Sequence, residues 1–414
     1  MLDPFTSTES SPASPVDKKN NTYEVADIFR KYGEKYLQTH NMPYSHQEIM
    51  KDIIICRTEL LGGHKQQCER CKLDWYTWNS CGNRHCPKCQ AMKKEKWLQE
   101  RKNEILPVPY FHNIFTLPHE INAVALHNQK VIYDILFDSV AETLHSFGKN
   151  NLSGKLGFIC TLHTWDQKML YHLHIHCIIA GGALSFEKDK WFNSKKDYLF
   201  DVHDLSKVFQ GKFIEKLQKL YSTNKLNFEG TIAEEGTKEG FQNLIDILWS
   251  KNWVVHSKKP VSPDIVLDYL GRYVHRVAIS NNRIVKVEND KVTFLYRDNS
   301  EGGLKPLTID VEEFIRRFFL HALPENFYRI RYYGFLSTRN SKKDLAKCRE
   351  LLGLSSELPE LEKVSVKDFI LKHTGIDITI CPHCKKGKAK TIDEIEKISD
   401  LTLEDVFQFS LWDP

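Results

Sequence analysis

Two Cys-x2-Cys pairs, Cys68 with Cys71 and Cys86 with Cys89, stand 14 residues apart, and a third pair, Cys381 with Cys384, follows near the C-terminal end. Random placement of the 11 cysteines would give about 0.3 such pairs, so the spacing points to metal binding. A pair spaced this way forms a knuckle that presents both sulfurs to one point. Two knuckles can close a tetrahedron, and four thiolates suit Zn²⁺. The expected structural zinc set is therefore Cys68, Cys71, Cys86 and Cys89. His64, Cys81 and His85 are further donors that could replace a cysteine or serve a second ion. A shell of four protein donors leaves no open position and reads as structural. Thiolate ligands also imply a reducing compartment. The Cys381–Cys384 pair is half a knuckle, with Cys348, His373 or His383 as possible completions.

The remaining pattern mixes strands and helices without regular βαβ alternation, which predicts an α+β fold around an antiparallel sheet. Four blocks are expected: a disordered tail at 1–22, a helical and zinc-binding DNA-binding domain at 23–106, a catalytic domain at 107–300, and a basic C-terminal region at 301–414. A basic helix is expected over Ala91–Leu106, a strand over Phe111–Leu117 and a long helix over Asn122–Lys149. Two further strands, Leu156–His163 and His172–Ala180, should flank a turn at Trp165–Gln167, with Gly181 and Gly182 ending the second. A hairpin is expected around Asn289 and Asp290. The first residues are polar and rich in Ser and Pro, without the apolar core of a signal peptide. No apolar run is long enough to span a bilayer.

His172, His174 and His176 alternate along one expected strand and so share a face. An HxHxH run has a chance expectation of about 0.03 in such a chain. The preceding strand can bring His163 beside His174. A solvated sheet face carrying satisfied histidines would show the same pattern. Three imidazoles with open positions would serve Mg²⁺ or Mn²⁺ if phosphate and water completed the shell, and the ion would act as a Lewis acid on a phosphoryl oxygen. Ser262-Pro263-Asp264 begins a helix, with Ser at the N-cap and Pro at the first helical position. That helix carries Tyr269 and Tyr273 at i and i+4, on one face. Two core tyrosines would be spaced identically, but Lys258, Lys259, Arg272, His275 and Arg276 make the neighbourhood cationic.

The ordered strings LGGHKQQCERC…NSCGNRHCPKCQ, PVPYFHNIFTLPHEIN, HTW…YHLHIHCIIAGGAL, YLGRYVHRVAISNNRI and RIRYYGFL resemble the IS91-type transposases. The resemblance runs from about Leu61 to Cys384. It implies an HUH-type (His-hydrophobic-His), rolling-circle endonuclease fold: a central antiparallel sheet with flanking helices, plus a small N-terminal zinc-ribbon-like domain. The HUH pair corresponds to His174 and His176, with His163 in the place of a third ligand, and the nucleophiles to Tyr269 and Tyr273. The activity implied is cleavage and rejoining of single-stranded DNA at element ends through a 5′-phosphotyrosine. The cofactors are then Mg²⁺ or Mn²⁺ at the histidines and structural Zn²⁺ at the cysteines.

Partners follow from the same likeness: element-end and target DNA, and a host helicase and polymerase, because the chain has no Walker motif. The expected setting is the bacterial cytoplasm, at the nucleoid. A net charge of +4 is too small to argue for nucleic acid, so local patches must. Arg84, Lys88, Lys258, Arg272 and Arg276 are the DNA-contact candidates. Two rivals stand beside this reading: a plasmid or phage replication initiator, and a zinc-ribbon DNA-binding protein without enzymatic activity.

Overall fold

The computed structural model describes residues 23–410, except 196, 198, 272, 273, 275, 299–301, 340, 358–364, 366, 369 and 372–374. The expected tail at 1–22, and with it Arg272, Tyr273, His275 and His373, lies outside the described residues. The chain opens with α1 (Val25–Thr39), α2 (Tyr44–Ile55), β1 (Gly63–Cys68), β2 (Asp74–Trp78) and α3 (Pro87–Lys102). Next come β3 (Tyr110–Thr116), α4 (Asn122–His127), α5 (Gln129–Leu152), β4 (Gly154–Trp165), β5 (Tyr171–Ser185) and β6 (Trp191–Asn193). They are followed by α6 (Val202–Ser222), α7 (Lys238–Ser250), β7 (Val254–Val261) and α8 (Pro263–Gly271). The chain continues through β8 (Ile284–Glu288), β9 (Lys291–Arg297), β10 (Leu304–Asp310), α9 (Val311–Phe319), β11 (Ile330–Gly334), α10 (Ser341–Leu351), β12 (Ala389–Ile395) and a last helix, Leu403–Ser410.

Two compact units are assembled from separated stretches, which is not the sequential block order expected above. The first takes Met1–Lys93, Ile279–Phe319 and Glu360–Pro414; the second takes Lys94–Ala278 and Leu320–Pro359. Long-range packing decides this membership. In the first unit, Phe29 of α1 meets Phe318 edge-on at 5.2 Å and stacks on Phe319 at 5.5 Å, tying α9 to the N-terminal helices. Its two sheets run β12-β1-β2 and β10-β9-β8. The β8–β9 turn is the expected one: Asn289 and Asp290 both adopt positive φ, at 49° and 56°, as a tight hairpin turn requires.

The second unit is built on an antiparallel sheet ordered β11-β4-β5-β3-β7, with β6 added beside β5. Strand alternation separates its faces. Leu173, Ile175, Cys177 and Ile179 of β5 join Phe158, Cys160 and Leu162 of β4 in a large core under α5, α6 and α7. On the other face, Ile159, Ile178 and Ala180 join an apolar cluster with Trp97 of α3, Val266 and Leu270 of α8, and Leu345 of α10. The fold class is therefore α+β, with helices on both sides of an antiparallel sheet.

Two local expectations fail for identifiable reasons. Gly181 and Gly182 do not end β5, which continues to Ser185. A Cβ on Gly182 would stand 2.4 Å from the Trp191 ring, and one on Gly181 2.6 Å from the Pro109 carbonyl, so these glycines permit close approach to a continuing strand. The single helix expected over Asn122–Lys149 is two helices, α4 and α5, with Asn128 between them. The Asn128 side chain donates to the carbonyls of Val124 and Asn227 and accepts from the Asn227 amide, exchanging helix continuity for a cross-chain tie.

Candidate active site and metal centres

The histidine face of the central sheet is fixed by register. His163 on β4 lies opposite His174 on β5, and His176 lies opposite Thr161. On the other side of β5, His176 pairs with Ile114 and Ile178 with His112, both on β3. Next outward, β7 sets His256 opposite Ile114 and Lys258 opposite His112. Since paired positions project to the same side, these residues form a transverse row on the face that α8 also covers.

His163, His174 and His176 each offer a ring nitrogen, and the three nitrogens lie within 4.8 Å of one another. Their rings are mutually tilted, with centroids 4.4 Å apart for His163 and His176 and 4.9 Å for His174 and His176. His172, one step further along the alternation, is outside this group. Desolvation holds the His174 and His176 rings neutral. It pushes His174 down to about 3 and His176 well below the ordinary value, with the charges of neighbouring histidines adding to it. Neutral imidazole is the form that donates a lone pair to a metal.

Two contacts orient the rings. Nδ1 of His174 donates to the His172 carbonyl at 3.0 Å, which leaves Nε2 as the lone-pair nitrogen. Nδ1 of His176 is hydrogen-bonded to Nε2 of His112 at 2.8 Å, so His176 too has only Nε2 left to turn elsewhere. His112 is 1% exposed and sequence reasoning missed it. The signal was present, since His112 lies in the expected strand 111–117, but an isolated histidine in an apolar run reads as core. His163 stacks on Trp165 at 4.7 Å. Three protein donors leave room for further ligands, which fits an ion that takes phosphate and water oxygens.

A helix starts where expected: α8 begins at Pro263, with Asp264 in its first turn, and contains Tyr269. Tyr273 and Arg272 lie outside the described residues. Lys258 lies on the histidine face through its pairing with His112, and the positive charge of Arg276 acts on His174. Arg84 and Lys88 belong to the first unit, where Lys88 is ion-paired with Glu24 at 2.5 Å.

The cysteines of the first unit do not assemble as expected. Cys68 and Cys71 converge with Cys381 and Cys384, whereas Cys86 and Cys89 converge with Cys56 and Cys81. The set Cys68, Cys71, Cys86 and Cys89 is thus replaced by two tetrads, because tertiary pairing overrides sequence proximity. Strand β1 pairs with β2 on one side and β12 on the other, which carries the C-terminal knuckle to the first one. The loop around Cys81 is held instead against α2, where Asn83 donates to Asp52 at 2.8 Å and Cys56 caps the helix. Within each tetrad, sulfurs approach to 3.6 Å (Cys56–Cys89, Cys81–Cys89, Cys68–Cys384) or 3.7 Å (Cys71–Cys381). A tetrahedron with Zn–S bonds near 2.3 Å has edges of about 3.8 Å, so both donor sets fit Zn²⁺. Of the extra donors considered, Cys81 is in a tetrad and His64 and His85 are not. Cys56 was missed because it follows three isoleucines and reads as the apolar end of a helix.

Comparisons with known proteins identify the family. Residues 28–117 match the family described as "Transposase zinc-binding domain", of the IS91 type, and residues 157–344 match the one described as "Putative transposase". "Putative transposase y4qJ" of Sinorhizobium fredii (strain NBRC 101917 / NGR234) is 41% identical over 384 residues, covering 91% of this chain and 96% of that protein. "Transposase for insertion sequence element IS801" of Pseudomonas savastanoi pv. phaseolicola is 26% identical over 329 residues, 75% of each chain. A conjugative relaxase solved in complex with oriT DNA is 14% identical and aligns over 39% of this chain and 68% of its own, with a TM-score of 0.21, too low to argue from. By the extent of its match to these relatives and to the zinc-binding domain, the chain belongs to the IS91-type family of transposases.

Proposed function

We propose that this transposase cleaves and rejoins single-stranded DNA at the ends of its mobile element through a 5′-phosphotyrosine. The observation that carries the reading is the group of three imidazoles, His163 and His176 buried and His174 half-buried, on the sheet face that α8 also covers. His163, His174 and His176 would hold Mg²⁺ or Mn²⁺, which when bound supplies Lewis-acid polarisation of the scissile phosphate. His112 occupies Nδ1 of His176 and so would leave its Nε2 for the ion. Lys258 and Arg276 supply positive charge for the DNA backbone and for the phenolate that attack requires.

In the first step the phenolic oxygen of Tyr269 or Tyr273 attacks phosphorus, giving up its proton. The P–O3′ bond breaks, and the departing 3′ oxygen takes up a proton to become a free hydroxyl. The phosphotyrosine retains the energy of the broken diester, so an incoming 3′-hydroxyl can reverse the chemistry on another strand without ATP. Opening of duplex DNA and extension of the freed 3′ end fall to a host helicase and polymerase, at the nucleoid of the bacterial cytoplasm. No described helix is long and apolar enough to cross a membrane.

The test uses a single-stranded oligonucleotide bearing an element end, labelled at its 3′ terminus, with Mn²⁺. The expected product is a labelled protein–DNA adduct that is absent from the Tyr269→Phe/Tyr273→Phe double variant. An adduct formed equally by that variant would remove both tyrosines as nucleophiles, and cleavage that survives chelation would remove the metal.

A further inference from the structure

The zinc-binding domain match ends at residue 117, far ahead of Cys381 and Cys384. The geometry nevertheless joins these two cysteines to Cys68 and Cys71, and we propose that the four hold a second Zn²⁺, separate from the one at Cys56, Cys81, Cys86 and Cys89. This ion fastens a segment near the C-terminal end onto the N-terminal ribbon.

Three observations support an ion rather than four packed thiols. First, the two knuckles are built alike. Lys72 and Lys385, each directly after the second cysteine, take left-handed φ values of 63° and 57°. Each donates its amide back to the carbonyl of the first cysteine, Lys72 to Cys68 at 3.1 Å and Lys385 to Cys381 at 3.0 Å. A left-handed lysine is an unfavourable backbone state, and its recurrence at equivalent positions marks a shared geometric demand.

Second, backbone amides are aimed at the sulfurs. Cys68 Sγ accepts from Arg70 at 3.4 Å and Cys71 at 3.3 Å, and Cys381 Sγ accepts from His383 at 3.4 Å and Cys384 at 3.5 Å. Cys384 Sγ accepts from Gly387 at 3.3 Å. Amides around sulfur stabilise the thiolate, the form a metal binds. The paired Cys160 and Cys177 provide a contrast: they touch at 3.2 Å within an apolar core and belong to no metal-competent group among the described residues.

Third, the chain makes room for this convergence. A Cβ on Gly387 would stand 2.3 Å from Cys68 Sγ and 2.8 Å from the Arg70 side chain, so only glycine lets the C-terminal turn lie against the N-terminal knuckle. Strand β12 then continues the contact along β1, with Ala389 opposite Cys68 and Ile395 opposite Gly63. Four sulfurs all within 4.8 Å of one another describe one tetrahedron, not two separate pairs.

Elemental analysis of the full chain, purified under reducing conditions, should give two zinc ions per chain. Cys381→Ser/Cys384→Ser should retain one and become cleavable by protease within 375–395, while Cys56→Ser/Cys86→Ser should lose the other ion and leave that segment protected. Cobalt substitution supplies a second readout: the tetrathiolate absorption should fall by about half in either double variant. Because serine could unfold the ribbon, Cys381→His is the conservative control; it keeps a zinc-competent donor and should restore two ions and protease protection. One zinc per chain in the wild type, or two in Cys381→Ser/Cys384→Ser, would overturn the proposal.

Discussion

The two units handle metal-binding side chains in opposite ways. The first gathers eight thiols into two sets of four, each able to surround an ion completely. The second gathers three imidazoles on a sheet face and stops there. A full shell of soft donors excludes substrate and turns binding energy into folding energy. An incomplete shell of neutral nitrogens leaves positions for substrate oxygens and contributes little to the core. On the proposed reading, donor number would separate an ion that holds the chain together from one that acts on DNA.

The sharpest way to break this contrast is to remove a donor from the open set. His174→Ala or His176→Ala should reduce cleavage of an element-end oligonucleotide to background while circular dichroism and DNA affinity stay close to wild type. A collapse of the fold would make the imidazoles structural, like the thiols. The next largest effect belongs to the closed set. Cys86→Ser should release one zinc and destabilise the first unit by several kcal/mol, since structural zinc contributes folding energy outright. Full zinc retention on elemental analysis would contradict the tetrad.

A third experiment separates a ligating imidazole from a merely buried one. His321 is hydrogen-bonded through Nδ1 to the Thr164 hydroxyl and through Nε2 to the Met169 carbonyl, and burial pushes it down from 6.5 to about 4. The unfolded chain therefore binds more protons than the folded one between these values. Its contribution to stability falls as pH drops through 6.5 and levels off below about 4, a loss of about 3 kcal/mol from this group. His321→Gln should diminish the acid-side loss in urea titrations by about that amount, without altering metal content, the remainder belonging to the other buried histidines; an undiminished loss would refute the assignment. The smallest effect is expected at His112, which touches the proposed ligand His176 and lies outside the proposed ligand set. His112→Ala should weaken Mn²⁺ binding and cleavage by roughly 10–100-fold, with excess Mn²⁺ recovering part of the rate. A loss that no concentration of ion relieves would mean that His112 acts on DNA directly.

Much of the second unit was legible because its signals are local. Alternation at 172–176 gives a strand face, and Ser262-Pro263-Asp264 gives a helix start. The α+β class followed from the absence of βαβ order. What sequence could not supply was the partner of each knuckle. Local spacing favours joining Cys68 and Cys71 to Cys86 and Cys89, but the pairing of β1 with β12 brings in residues more than 300 positions away. Cys56 was hidden by apolar neighbours, and His112 by a strand whose other residues are core. The Gly181–Gly182 pair misled for the converse reason: glycine in a strand marks either a break or a close approach, and only the position of Trp191 decides between them.

The pairing of β1 with β12 has a consequence for how the protein is made. Translation delivers β1 and β2 early and β12 only at residues 389–395, after the whole second unit has left the ribosome. Throughout that interval β1 has one hydrogen-bonded neighbour and one bare edge, and bare edges recruit whatever strand is nearby. Neighbouring nascent chains on one message would present the same edge to each other. A chain that terminates before residue 389 keeps its edge open permanently, so frameshifted or broken copies of the gene should yield protein that aggregates.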